Sequence, residues 1–143
     1  MRFYILLIAF VTFSLYACQG DADGELLGNS AVGVWQLTET LADPGDGSGQ
    51  FRPAEDPYFI LISGGNTFVA GVDLCPNFGN PGSGSSGRVD PVNSQLVLDD
   101  CSGADGAEWA LNYTVNRNEM ILWFPCIEPC ANKFKRVSAS EGF

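Results

Sequence analysis

Cys75, Cys101, Cys126 and Cys130, with Cys18 near the start, are the side chains best suited to covalent chemistry. The chain has no histidine. That removes the Ser-His-Asp and Cys-His nucleophile systems, in which an imidazole takes the proton, and with them the commonest zinc ligand. The four later cysteines then divide between disulfides and a four-thiolate metal site. Cys126 and Cys130 sit at the edge of zinc-knuckle spacing and the other two form no second knuckle, which favours disulfides. Three pairings exist for four cysteines, and the preferred one joins Cys126 to Cys130 and Cys75 to Cys101. The first bond closes the short loop Pro125-Cys126-Ile127-Glu128-Pro129-Cys130, bent by its two prolines. The second ties the end of one strand to the region beyond another, a closure of about 25 residues worth ~3 kcal/mol in the chain-entropy picture.

Carboxylates are the other reactive set. Asp99, Asp100 and Glu108 are close enough in sequence to suggest paired-acid, glycosidase-type chemistry. Neighbours on a strand point to opposite faces, so Asp99 and Asp100 do not converge, and solvated acids beside Cys101 are the favoured reading. Asp43, Asp46 and Ser48 lie in Asp43-Pro44-Gly45-Asp46-Gly47-Ser48-Gly49, a flexible oxygen-rich turn of the kind calcium prefers. Their spacing is not that of an EF-hand loop, and an ordinary Asp/Gly turn is favoured over a metal site. No phosphate-binding loop or dinucleotide fingerprint is present. The expectation is a protein that is not an enzyme and carries no cofactor.

These groups sit in an exported chain. Met1-Arg2 precedes an apolar run to Ala17, shorter than the ~20 residues of a membrane-spanning helix and ended by Gly20, Asp21 and Asp23. A charged start, an apolar stretch and a small residue before Cys18 describe a secretory signal over 1–17. Loss of that signal leaves six basic residues against 17 acidic ones, a formal charge of about −11. Such a surface repels nucleic acid and anionic headgroups, which excludes nucleic-acid binding and a polybasic membrane contact. Residues 18–31 are small, polar and acidic and read as a flexible tether.

The remaining 32–140 form one domain of strand-sized segments broken by Gly, Pro, Asn and Asp. Strands are predicted at 32–41, 58–63, 67–73, 85–90, 95–99, 108–115, 119–124 and 133–138. Trp35, Leu37, Glu39 and Leu41 share one parity, as do Trp109, Leu111, Tyr113 and Val115. Ser63-Gly64-Gly65-Asn66 signals a tight hairpin, with glycine supplying the positive φ. Asp90-Pro91-Val92-Asn93 and Asn116-Arg117-Asn118 are further hairpin loops. The stretches 43–49 and 79–87 are too glycine-rich for regular structure. The fold class is all-β and antiparallel, an up-and-down barrel of about eight strands or, alternatively, a β-sandwich. Three Trp, Tyr58, Tyr113 and seven Phe either line a ligand cavity or fill the core.

Leu15-Tyr16-Ala17-Cys18 resembles a bacterial lipobox, in which the cysteine thiol takes a diacylglycerol; the acidic stretch behind it resembles a surface-export signal of Bacteroidota. Gly33-Val34-Trp35 resembles the Gly-x-Trp of lipocalins. With the Asp43–Gly49 loop, Asp73-Leu74-Cys75 and the Pro125–Cys130 loop, the chain is similar to small lipocalin-like lipoproteins of Bacteroidota. The resemblance implies that Trp35 closes one end of the barrel and that a basic side chain of the last strand, Arg136 or alternatively Lys135, packs across it. It also implies an address, the outer membrane or cell surface, with the lipid as the membrane contact. The leading expectation is a barrel that binds a small apolar or amphipathic ligand. The alternative is a filled barrel whose Gly-rich loops meet a protein or glycan. A continuous internal cavity favours the first, a solid core the second.

Overall fold

The computed structural model describes residues 30–75, 84–102 and 108–138. The segment 1–17, Cys18 and the tether through residue 29 lie outside the described residues, as do residues 79–83 of the second glycine-rich stretch and the side chain of Asp100.

Nine strands follow one another: β1 (Gly33–Ala42), β2 (Arg52–Pro53), β3 (Phe59–Ile62), β4 (Thr67–Ala70), β5 (Ser85–Asp90), β6 (Gln95–Ser102), β7 (Glu108–Asn116), β8 (Glu119–Phe124) and β9 (Cys130–Val137). From β3 onward each strand pairs antiparallel with the next. β1 pairs with β3 on one edge and with β9 on the other, which closes the sheet on itself. The two-residue β2 pairs with β1 at Glu39 and Thr40, beyond the stretch that β3 occupies. The Ala54 N–H donates to the Thr38 carbonyl and the Leu37 N–H to the Tyr58 carbonyl, both at 2.9 Å, across the gap between them. β2 and β3 are therefore two pieces of one barrel position. The fold is an all-β, antiparallel, eight-stranded barrel of lipocalin-like architecture with one extra short strand. A sandwich would have left two separate sheets; the β1–β9 ladder closes one sheet on itself.

Alternation puts one face of each strand inside. Trp109, Leu111, Tyr113 and Val115 point inward on β7 as the sequence suggests, but β1 breaks its parity. Leu37 opposes the inward Phe134, whereas Glu39 opposes Lys133, because the register shifts between Leu37 and Glu39. The bulge adds a residue at Thr38 and turns Glu39 and Leu41 to the outer wall. There Glu39 accepts from Lys133 Nζ at 2.8 Å. An inward Glu39 would have been an unpaired charge in the core.

The lumen is filled. Trp35, Ile60, Leu96, Leu111, Met120, Leu122 and Phe134 are completely buried, so no space that admits a water touches them. Phe68 fits because its cross-strand partner is Gly87; a Cβ there would lie 2.8 Å from the Phe68 ring and collide with the Val97 carbonyl. Residues 85–87, expected within a loop by their glycine content, are thus the start of β5 as well.

The two ends of the barrel differ. One, the turn end, collects the short hairpins β3–β4, β5–β6 and β7–β8 with the start of β1. The left-handed residues of these hairpins are Asn66 (φ 58°), Ser94 (φ 54°) and Arg117 (φ 54°), whereas Gly64 and Gly65 are not left-handed as expected. The other, the loop end, collects the connections β1–β2, β4–β5, β6–β7 and β8–β9.

Candidate functional site

At the turn end the Arg136 guanidinium lies 4.2 Å from the Trp35 ring, a cation–π geometry. Its Nη2 donates to the carbonyls of Ser30 (2.7 Å) and Arg117 (3.1 Å), and its Nη1 to that of Val32. The Trp35 indole N–H donates to the Ala31 carbonyl at 2.7 Å. Gly33 (φ 146°) passes so close that a Cβ would sit 2.7 Å from Arg136 Nη1. Gly33, Trp35 and Arg136 are thus one cluster, and it clamps residues 30–32 across the end of the barrel. Lys135, the alternative partner, is on the outer wall opposite Gln36 and Glu119.

At the loop end two disulfides are formed. Cys75 bonds Cys101 and Cys126 bonds Cys130, with Cα separations of 5.7 and 6.0 Å, as the preferred pairing has it. The first joins the β4–β5 connection to β6. With Tyr58, Trp109 and Phe124, it packs onto the core from the side where a ligand-holding barrel would open. Buried Ser85 fixes its position: the Ser85 hydroxyl accepts from the Leu74 N–H at 2.8 Å, and Asp73 Oδ1 accepts from the Cys75 N–H at 2.8 Å. Tyr58 is held by the Asn132 side-chain amide (2.9 Å) and an edge-on contact with Phe134, and burial pushes its phenol up to about 12.

The oxygen-rich loop 43–49 is built around its own backbone. Asp43 Oδ1 accepts from the N–H groups of Gly45 (2.8 Å) and Gly47 (3.1 Å), Oδ2 from Gly49 (3.0 Å), and Asp46 Oδ1 from Ser48 (2.9 Å). These donors, Gly45 first, hold the Asp43 carboxyl below the usual carboxylate range. The carboxylates of Asp43 and Asp46 are taken up within their own loop, that of Asp46 by both the N–H and the side chain of Ser48. Among the described residues no group of three acids or cysteines is arranged to hold a metal. The loop leans on the Cys126–Cys130 loop, with the Asp43 N–H donating to the Pro129 carbonyl at 3.0 Å and the Glu128 carboxylate against Gly45.

Of the proposed acid pair, Glu108 makes a two-pronged ion pair with Arg88 at 2.7 and 2.6 Å, whose hydrogen bonds lower its pKa. A general acid needs the opposite shift. Asp99 is exposed on β6.

The feature that sequence reasoning missed is on the outer surface of the loop end. Ile127, at the tip of the disulfide-closed loop, is fully exposed. On β8, which leads into this loop, Trp123 is about a third exposed, at 37%, and pairs through Ala131 with Leu41, so the outward positions of β8, β9 and β1 make an apolar row there. Among the described residues, the connections of this end carry Asp43, Asp46, Asp73 and Glu128, and the adjoining strands carry Asp99, Glu108 and the base Arg52. Comparison with protein-family models, with curated proteins and with solved structures finds no match to this chain, so its architecture and these two ends are the basis for reading its function.

Proposed function

We propose that this protein is a non-catalytic interaction module of the bacterial cell envelope, a filled lipocalin-like barrel held to the outer membrane through a lipid on Cys18. It presents its loop end to a protein partner with a basic surface. One observation carries the reading: Ile127 stands fully exposed on a loop closed by Cys126–Cys130, directly after the strand of the part-exposed Trp123 and at an end rich in acids. An apolar anchor with an aromatic side chain nearby, in charged surroundings, is the usual anatomy of a binding hot spot. The disulfide and two prolines reduce the ordering cost of docking that loop. The excess of acids at this end favours encounter with a cationic face. The packed lumen is the reason to prefer this over a ligand container, since seven core side chains leave no room beside them.

Photo-crosslinking in cells that make the protein tests the proposal. A benzophenone amino acid at position 127 is expected to give discrete protein adducts, while the same group at the equally exposed Val92 of the turn end gives none. Matching adducts at both positions, or none at 127, would overturn the reading.

A further inference from the structure

We infer that the turn end carries a binding site for a small, uncharged, single- or double-ring molecule bearing one or two hydrogen-bonding groups. A cleft of about 290 Å³ opens there beneath residues 30–32. Ile62, Val89 and Tyr113 form its floor, and the fully buried Trp35 and Leu111 belong to the packed lumen beyond. The space therefore ends at one layer and is not the mouth of a deeper cavity.

The lining sets the ligand class. Apolar walls come from Ile62, Val89, Val115 and the Tyr113 ring, and polar groups from Asn66 and Ser94 at the rim. Apolar walls with a few placed polar groups are the common composition of small-molecule sites. No charged side chain lines the cleft, so an ionic ligand would lose its hydration without gaining a counter-charge. At about 30 Å³ per liquid water, the volume corresponds to roughly ten waters, which suits one or two rings and not a long acyl chain.

One further observation points the same way. The remaining wall, residues 30–32, is fixed by Arg136 and Trp35 through the three carbonyls of Ser30, Ala31 and Val32. The cleft is thus preformed, and its wall is the chain that leads back to the tether. The site stands independently of the loop-end interface and lies at the opposite pole of the barrel.

Indole, an uncharged double ring with one donor, is a suitable probe. Full-length protein in lipid nanodiscs, with labelled methyl groups, is titrated with indole to millimolar concentration. Saturable shifts are expected at Ile62, Val89 and Val115, with benzoate at least tenfold weaker. Val115→Trp, which fills the cleft, is expected to weaken indole at least tenfold; Ser94→Ala, a milder change at the rim, several-fold. Absence of saturable shifts, equal affinity for benzoate, or unchanged binding in both variants would overturn the site.

Discussion

The two ends of this barrel solve the same problem with different chemistry. The turn end joins strands by hairpins of a few residues and seals itself with Trp35, Arg136 and backbone carbonyls. The loop end carries longer, glycine-bearing connections, and there Cys75–Cys101 and Cys126–Cys130 add covalent constraint to hydrogen bonds such as that from the Leu74 N–H to the Ser85 hydroxyl. Where the chain folds back tightly, packing and hydrogen bonds suffice. Where it makes wide excursions, covalent bonds limit the entropy of the unfolded chain. The difference extends to charge. Among the described residues the loop end carries more acids than bases, whereas the turn end carries Asp90 and Glu119 with Arg117, Lys135 and Arg136.

The comparison can be broken most forcefully at Trp35. Trp35→Ala empties a completely buried position and removes the ring beneath Arg136, and is expected to cost ~3–5 kcal/mol in urea unfolding. At the other end, replacing Cys75 and Cys101 by serine is expected to cost ~3 kcal/mol, and replacing Cys126 and Cys130 ~2 kcal/mol, because the second bond closes a much shorter loop. Equal losses for the two bonds would show that loop length is not what sets their contributions.

Tyr58 lies on the loop-end side of the core and gives a pH dependence. Its phenol titrates near 10.0 when unfolded and at about 12 when folded, owing to burial. As pH rises from 10 toward 12 the unfolded chain loses this proton first, so stability falls across that window. Tyr58→Phe is expected to flatten that decline in unfolding measured at each pH. The smallest effect belongs to the side wall, where Glu39→Gln breaks a half-exposed pair with Lys133 and is expected to cost ~0.5 kcal/mol, less at high salt.

Much of the barrel was legible because half-buried strands alternate. The predicted segments at 85–90 and 119–124 coincide with β5 and β8, and the β7 parity holds along its length. The bulge at Thr38 was not legible: Trp35, Leu37, Glu39 and Leu41 read as an unbroken alternation, and only the pairing with β9 shows the slip. β2 escaped because two residues carry no period, and one of them is Pro53. β9 begins at Cys130 rather than 133, since the cysteines and prolines before it read as loop. The hairpin at 63–66 was legible, but its left-handed residue is Asn66 rather than either glycine. Whether the aromatics lined a cavity or filled the core depended on how eight strands wrap, which no local pattern carries. The turn-end cleft was invisible for the same reason, since its lining comes from residues 30–32 and three hairpins far apart in sequence.

The central claim is that the lumen is solid and that function resides at the ends. Crystals of the protein under xenon pressure test it most directly, because xenon enters any apolar void large enough to hold it. The expected result is no xenon between Trp35 and Leu122, with any occupancy confined to the turn-end cleft; ordered xenon inside the barrel among Ile60, Leu96 and Phe134 would contradict the account.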